Sequence, residues 1–225
     1  MTHIDTTCVQ GGYQPGNGES RTPPIIQATT FKYTSSEQMS RLFDLSESGY
    51  FYTRLQNPTN DTVAAKICEL EGGAAAMLTS SGQAAKLLRP VQHLQRGRPY
   101  RGLVRDLRRH VQPHQRDDAQ DGHRMHVREP DCTPEELDAA FRPNTKAVFG
   151  ESISNPALIV LDFDKFTAAA HDHSVPIIVD NTFPTPVNCR PFDYGVDIVT
   201  HATTKYMDAT LLVAARSSHS GHFDW

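Results

Sequence analysis

Apolar positions along this chain fall into two patterns, helix-spaced faces and short unbroken runs, and the two alternate. Asn60 to Leu70 sets Val63, Ala64, Ile67 and Leu70 on one helical face, and Gly72-Gly73 ends it. Ala74 to Thr79 follows as a short apolar run that reads as a buried strand, with Ser80-Ser81-Gly82 after it. The pattern resumes at Thr133-Pro134-Glu135-Glu136, which supplies an N-cap, a proline at the first helical position and a glutamate at the third. Ala147 to Glu151, Val175 to Asp180 and Asp197 to Thr200 predict strands, and Asp162 to His171 predicts a helix between them. Residues 37–43 predict a further short helix. Strands alternating with helices predict an α/β domain with a parallel sheet, and ligand groups gather beyond the carboxyl ends of such strands. Residues 1–50 hold few strong elements, punctuated by Gly11-Gly12 and Pro23-Pro24, and read as an arm ahead of a large domain over 51–225.

Residues 87–128 break the order. They hold ten arginines and five histidines with no lysine, isoleucine or phenylalanine, and Pro90, Pro99 and Pro113 interrupt them. Leu103, Val104, Leu107 and Val111 suit one short amphipathic helix, and the composition is not that of two buried strands. Aromatic interleaving is absent apart from Tyr100, which argues against a nucleic-acid surface. His110, His114, His123 and His126 have metal-like spacings, but the neighbouring arginines repel a cation, so no metal is expected.

Composition narrows the class. A net charge of -4 and 38% hydrophobic residues exclude a disordered chain and a polyanion binder. The apolar runs are too short to span a bilayer. The N-terminus lacks a secretory pattern, and Cys8, Cys68, Cys132 and Cys189 are scattered without a CxxC pair. A cytoplasmic protein with no membrane or nucleic-acid partner is the expectation.

The chemistry lies at two strand ends. Asp180 directly follows a buried run, and Lys205 follows hydroxyl residues twenty-five positions later. Taken singly, the first fits a cap and the second a surface lysine. Together they fit pyridoxal phosphate (PLP), which takes a lysine amine for its aldehyde, an acid beside its ring nitrogen and donors for its phosphate. The Ser81-Gly82-Gln83 turn, between a strand and an expected helix, could cradle that phosphate with backbone N–H groups.

Seven ordered segments carry a family resemblance: Pro24–Thr30, Tyr52–Thr59, Glu69–Gly73, Ser81–Ala85, Glu151–Pro156, Val179–Thr182 and Thr203–Tyr206. The chain resembles the PLP enzymes of Cys/Met metabolism, the cystathionine γ-synthase-like group, and within it the O-acetylhomoserine sulfhydrylases. Gln83 favours the sulfhydrylase side, since the lyases usually carry methionine there. The resemblance implies a three-layer α/β domain, the aspartate aminotransferase-like large domain of fold type I. It implies γ-replacement on O-acetylhomoserine with sulfide or a thiol, giving homocysteine or methionine. A γ-synthase or γ-lyase of the same family, or a non-catalytic product of such a gene, stays open as an alternative. Lys205 would hold the cofactor as a Schiff base and shuttle protons, and Asp180 would pair with the ring nitrogen. Asn155 would approach the phenolic oxygen; Ser81, Gly82, Gln83 and Thr204 would serve the phosphate. Tyr52 and Arg54 would reach the phosphate of a neighbouring subunit, which implies a homo-oligomer, a dimer or tetramer.

The chain departs from the family in places. Residues 87–128 and 209–217 match nothing in it, and text rich in arginine, proline and histidine is what a shifted reading frame gives in a GC-rich gene. The family's stacking tyrosine is not identifiable, and Ala202 stands where a phosphate-binding serine is usual. The family also continues into a C-terminal domain carrying an arginine for the substrate carboxylate. A chain ending at Trp225 is expected to be incomplete, holding PLP but turning over slowly.

Overall fold

The computed structural model describes residues 3–82, 84–85, 101–104, 124–127, 131–143, 145–207 and 212–215. The elements are α1 (Ile4–Gln10), α2 (Ser36–Phe43), α3 (Pro58–Glu71), β1 (Ala75–Leu78), β2 (Arg101–Val104), β3 (Arg124–Val127) and α4 (Pro134–Asp138). After these come β4 (Thr145–Glu151), α5 (Phe163–Asp172), β5 (Ile177–Asp180), α6 (Thr185–Asn188), β6 (Ile198–His201) and β7 (Leu212–Ala215).

Local chemistry sets the helix ends. The Asn57 side chain accepts from Thr59 N–H to open α3, and Gly72, at φ 74°, closes it in the left-handed conformation that glycine adopts without strain. Thr133 and Glu136 form the reciprocal capping box expected for α4. Asp162 caps α5 through the Lys165 N–H.

The strands form a seven-stranded sheet in the order β1-β7-β6-β5-β4-β2-β3. β7 is antiparallel to both neighbours, and the β6-β5-β4-β2-β3 pairs are parallel, so every described strand except β7 runs in one direction. Every residue of β5 and β6 is buried, as befits central strands covered on both faces. Pleat alternation divides their side chains. Ile177, Val179 and Val199 join a core with Leu137, Val148, Phe166 and Val196, while Ile178 and Ile198 pack with Ala85 and Ala147 on the other face.

Two expectations need correction. β1 is an edge strand and not a buried one: Ala76 and Leu78 pack on the core, but Ala75 and Met77 are exposed. Among the described residues it pairs only with β7, at the edge of the sheet. Residues 101–104 and 124–127 form two parallel strands although the composition is not that of two buried strands, and Leu103 and Val104 lie in β2 and not in the expected helix. Strand pairing uses backbone groups that every non-proline residue carries, and β4 offers β2 a ready parallel edge. Leu107, Val111, His110, His114 and His123 lie outside the described residues.

Candidate functional site

Because β1, β4, β5 and β6 share one direction, their carboxyl ends meet one edge of the sheet. Ser81-Gly82 follows β1, Asn155 follows β4, Asp180 ends β5, and Thr204-Lys205 follows β6. This is the ligand edge of a parallel α/β sheet. Asn155, Asp180 and Lys205 thus follow or end three adjoining strands, with Asp180 in register between Glu151 of β4 and Thr200 of β6, and Ser81-Gly82 lies on the same edge beyond β7.

Asp180 is 8% exposed. Its Oδ1 accepts from the backbone N–H of Thr182 at 2.9 Å and from the Thr182 hydroxyl. That hydroxyl oxygen in turn accepts from the Ala202 N–H at 2.7 Å. The Ala202 carbonyl accepts from the Lys205 N–H at 3.0 Å. A continuous hydrogen-bonded path therefore runs from the Asp180 carboxylate through Thr182 to the turn that carries Lys205. The Lys205 side chain is exposed. Sequence reasoning assigned Thr182 no role, although an aspartate bonding the N–H two residues on is a familiar local pattern that could have pointed to it.

The remaining candidates differ in how firmly they are held. Ser81 opens a helical turn, its Oγ accepting from Ala84 N–H at 3.1 Å and its carbonyl from Ala85 N–H at 3.0 Å. Gly82 is half-buried in that turn, and Gln83 lies outside the described residues. Asn155 is exposed in a turn that Ser154 closes, its backbone N–H and hydroxyl pairing with Ile159 at 3.0 Å each. Thr204 is exposed beside Lys205. Tyr52 and Arg54 lie on the N-terminal segment and pair with each other: Arg54 Nη2 donates to the Tyr52 hydroxyl at 3.0 Å, and the guanidinium carbon stands 4.9 Å from the ring centre. A groove lined by Tyr13, Glu19, Ser20, Pro24, Pro58 and Thr62 holds none of the candidates. Among the described residues there is no cluster of three or more potential metal ligands.

The edge thus offers an amine, a buried carboxylate on the neighbouring strand, and backbone N–H groups at the start of a helical turn. That set can bind an aromatic aldehyde bearing a phosphate.

The profile of a family described as Cys/Met metabolism PLP-dependent enzyme matches residues 5–212. A homocysteine/cysteine synthase of Saccharomyces cerevisiae is 36% identical over 241 residues, covering 100% of this chain and 51% of that protein. An O-acetyl-L-homoserine sulfhydrylase of Leptospira meyeri is 33% identical over 211 residues, covering 90% of this chain and 46% of its own. A Campylobacter jejuni protein, solved with N′-pyridoxyl-lysine-5′-monophosphate, superposes with a TM-score of 0.89 at 27% identity, over 97% of this chain and 55% of its own. The chain spans about half the length of the curated relatives it matches.

Proposed function

Since the chain belongs to the Cys/Met metabolism family of PLP-dependent enzymes, we propose that it holds PLP on Lys205 and serves γ-replacement on O-acetylhomoserine. Sulfide or a thiol is the proposed nucleophile, and homocysteine or methionine the product. Its fold is that of the fold type I large domain. The observation that carries the proposal is the meeting of the Asp180, Lys205 and Ser81-Gly82 segments on one strand edge, with Thr182 joining the first two.

The residues present fit the cofactor. A buried carboxylate is the partner a protonated ring nitrogen needs, and Asp180 is the buried acid on this edge. When bound, PLP supplies an electron sink for bonds breaking at the substrate's α and β carbons. Asp180 keeps the ring nitrogen protonated. Thr182 holds one carboxylate oxygen in a fixed direction and spaces it from the Lys205 turn. Lys205 anchors the cofactor and then moves protons at the α and β carbons. Gly82 and Gln83 offer N–H groups, and Ser81 and Thr204 hydroxyls, to the phosphate. Asn155 would approach the phenolic oxygen.

Tyr52 and Arg54 suit the phosphate of a second copy, the arginine with two parallel donors. Arg54 is exposed and Tyr52 half-buried on the N-terminal segment, which leaves the arginine open to a second copy in a homo-oligomer. The cytoplasm is the proposed compartment. Among the described residues no helix is long and apolar enough to cross a membrane.

The test is formation of homocysteine from O-acetylhomoserine and sulfide by the PLP-loaded chain. Homocysteine above the Lys205→Ala background is the expected result. Equal formation by the two proteins, or none by either, contradicts the proposal.

A further inference from the structure

Behind the proposed site lies a polar cluster that the function above does not use. Glu71, the last residue of α3, is 1% exposed, and His201, the last residue of β6, is also 1% exposed. Glu71 Oε1 lies 2.6 Å from His201 Nε2 and accepts from Asn181 Nδ2 at 2.9 Å. Asn181 is fully buried. Its amide also donates to the Cys189 carbonyl at 2.8 Å, and its Oδ1 accepts from the Ser152 hydroxyl at 2.7 Å. Its backbone N–H donates to Thr200 O at 2.9 Å. One carboxylate oxygen therefore joins the end of α3 to the ends of β4, β5 and β6.

This cluster is not the cheapest way to fill a core. A buried carboxylate and imidazole pay a desolvation cost that an apolar pair of similar volume does not. Two atoms, Glu71 Oε2 and His201 Nδ1, also have no hydrogen-bond partner among the described residues. What such a network adds is direction: short bonds to a charged acceptor fix donors at set positions, where apolar packing tolerates sliding. The residues it fixes matter. Asn181 adjoins Asp180, and His201 precedes Lys205 by four residues. Pleat alternation sets Asp180 with Ile178 on one face and His201 with Val199 on the other, so the cluster grips the strand ends from the face opposite the carboxylate.

We infer that Glu71 is a positioning residue, a buried tether that sets the strand ends bearing Asp180 and Lys205 at the spacing the cofactor requires. It acts through Asn181 and His201. The inference rests on the proposed PLP site.

The test compares Glu71→Gln, His201→Leu, His201→Gln and Ser152→Ala with the unaltered chain. PLP affinity, the pH midpoint of the visible absorbance of PLP attached to Lys205, and the melting temperature without PLP are measured. Glu71→Gln keeps the shape and removes the charge; His201→Gln keeps a side-chain N–H. The expected result is an affinity loss of about tenfold or more for Glu71→Gln and His201→Leu, with a displaced pH midpoint. His201→Gln returns both toward the original, and Ser152→Ala moves them the same way by less. Should the first two variants fail to fold, Ser152→Ala and His201→Gln still decide. Variants that melt earlier yet keep the original affinity and pH midpoint overturn this inference alone, leaving the cluster a purely structural one. An unaltered chain that never gains the absorbance overturns both this inference and the proposed function.

Discussion

The strand block β4–β6 and the N-terminal segment of residues 3–57 are held by different forces. In the block, Val148, Ile177, Val179, Val196 and Val199 are each 1% exposed or less, and the sheet ladder is continuous. The N-terminal segment buries Leu42 and Phe51 but leaves Val9, Ile25, Leu45 and Leu55 largely exposed, and polar bonds join it to the start of α3. Asn57 Nδ2 donates to Ile26 O at 3.0 Å, Thr59 Oγ1 donates to Pro24 O at 3.0 Å, and Ile26 N–H donates to Thr59 Oγ1 at 2.9 Å. The Thr53 hydroxyl donates to Ala28 O. The lesson is a division of labour. The block, whose strands end at Asp180 and lead to Lys205, is built by burial. The segment leaves Arg54 exposed and Tyr52 half-buried, and it buries few apolar side chains beside its polar bonds.

The largest expected effect is in the block. Ile177→Ala, at a fully buried site, should lower unfolding stability by about 2–5 kcal/mol, a large part of the roughly 5–15 kcal/mol a domain has. Leu55→Ala should change it by no more than about 0.5 kcal/mol. Urea titration of both variants measures the difference, and equal losses would erase the distinction between the regions.

Asn57 marks the boundary, since it caps α3 and also ties the segment to it. Asn57→Ala should cost about 1–3 kcal/mol, from a lost cap and the Ile26 carbonyl left without its donor. Asn57→Ser should recover the cap alone. Limited proteolysis should then cut residues 10–50 faster in both variants while fragments from residues 145–207 persist.

A smaller effect is expected at Thr182. Thr182→Val removes the hydroxyl between Asp180 and Ala202, two bonds of about 1 kcal/mol each. PLP binding should weaken by roughly three- to tenfold, and Thr182→Ser should restore it. Titration of PLP absorbance reads this, and unaltered binding by the valine variant would remove Thr182 from the site.

The smallest effect is on the thiols. Burial pushes the Cys189 thiol above its ordinary 9.0, and the negative charges of Glu71 and Asp193 push it further. Burial alone raises Cys68. Alkylation at neutral pH should therefore modify exposed Cys8 before either. The sign for stability follows from the raised values. The folded state favours the neutral thiol, so this contribution is present below about pH 9 and is lost as pH rises above it. Glu71→Gln should shift the onset of Cys189 alkylation to lower pH, which mass spectrometry of the labelled peptide detects.

What the sequence disclosed follows from how each element is buried. β5 was legible because both faces are covered, which demands an unbroken apolar run. The capping box at Thr133 and the glycine stop at Gly72 were legible because their chemistry is local. Composition places β1 in the interior because Ala75 and Met77 are apolar, and nothing in it separates an edge strand from a central one. β2 and β3 are not legible in the sequence because pairing rests on backbone groups, which the arginine-rich composition does not report. The seven motif segments supplied Asp180 and Lys205, and the topology accounts for their meeting at one edge. The Glu71 tether was invisible in sequence, its partners being 110 and 130 residues away. Residues 87–128 lie inside the span that the family profile matches.

The most direct measurement is the address of the cofactor. The chain is incubated with PLP, reduced with borohydride, digested, and its peptides weighed by mass spectrometry. One pyridoxyl adduct on Lys205, absent from Lys205→Ala, is the expected result. Label spread over Lys66, Lys146 and Lys165, and unchanged by Lys205→Ala, would contradict a PLP site at the ends of β5 and β6.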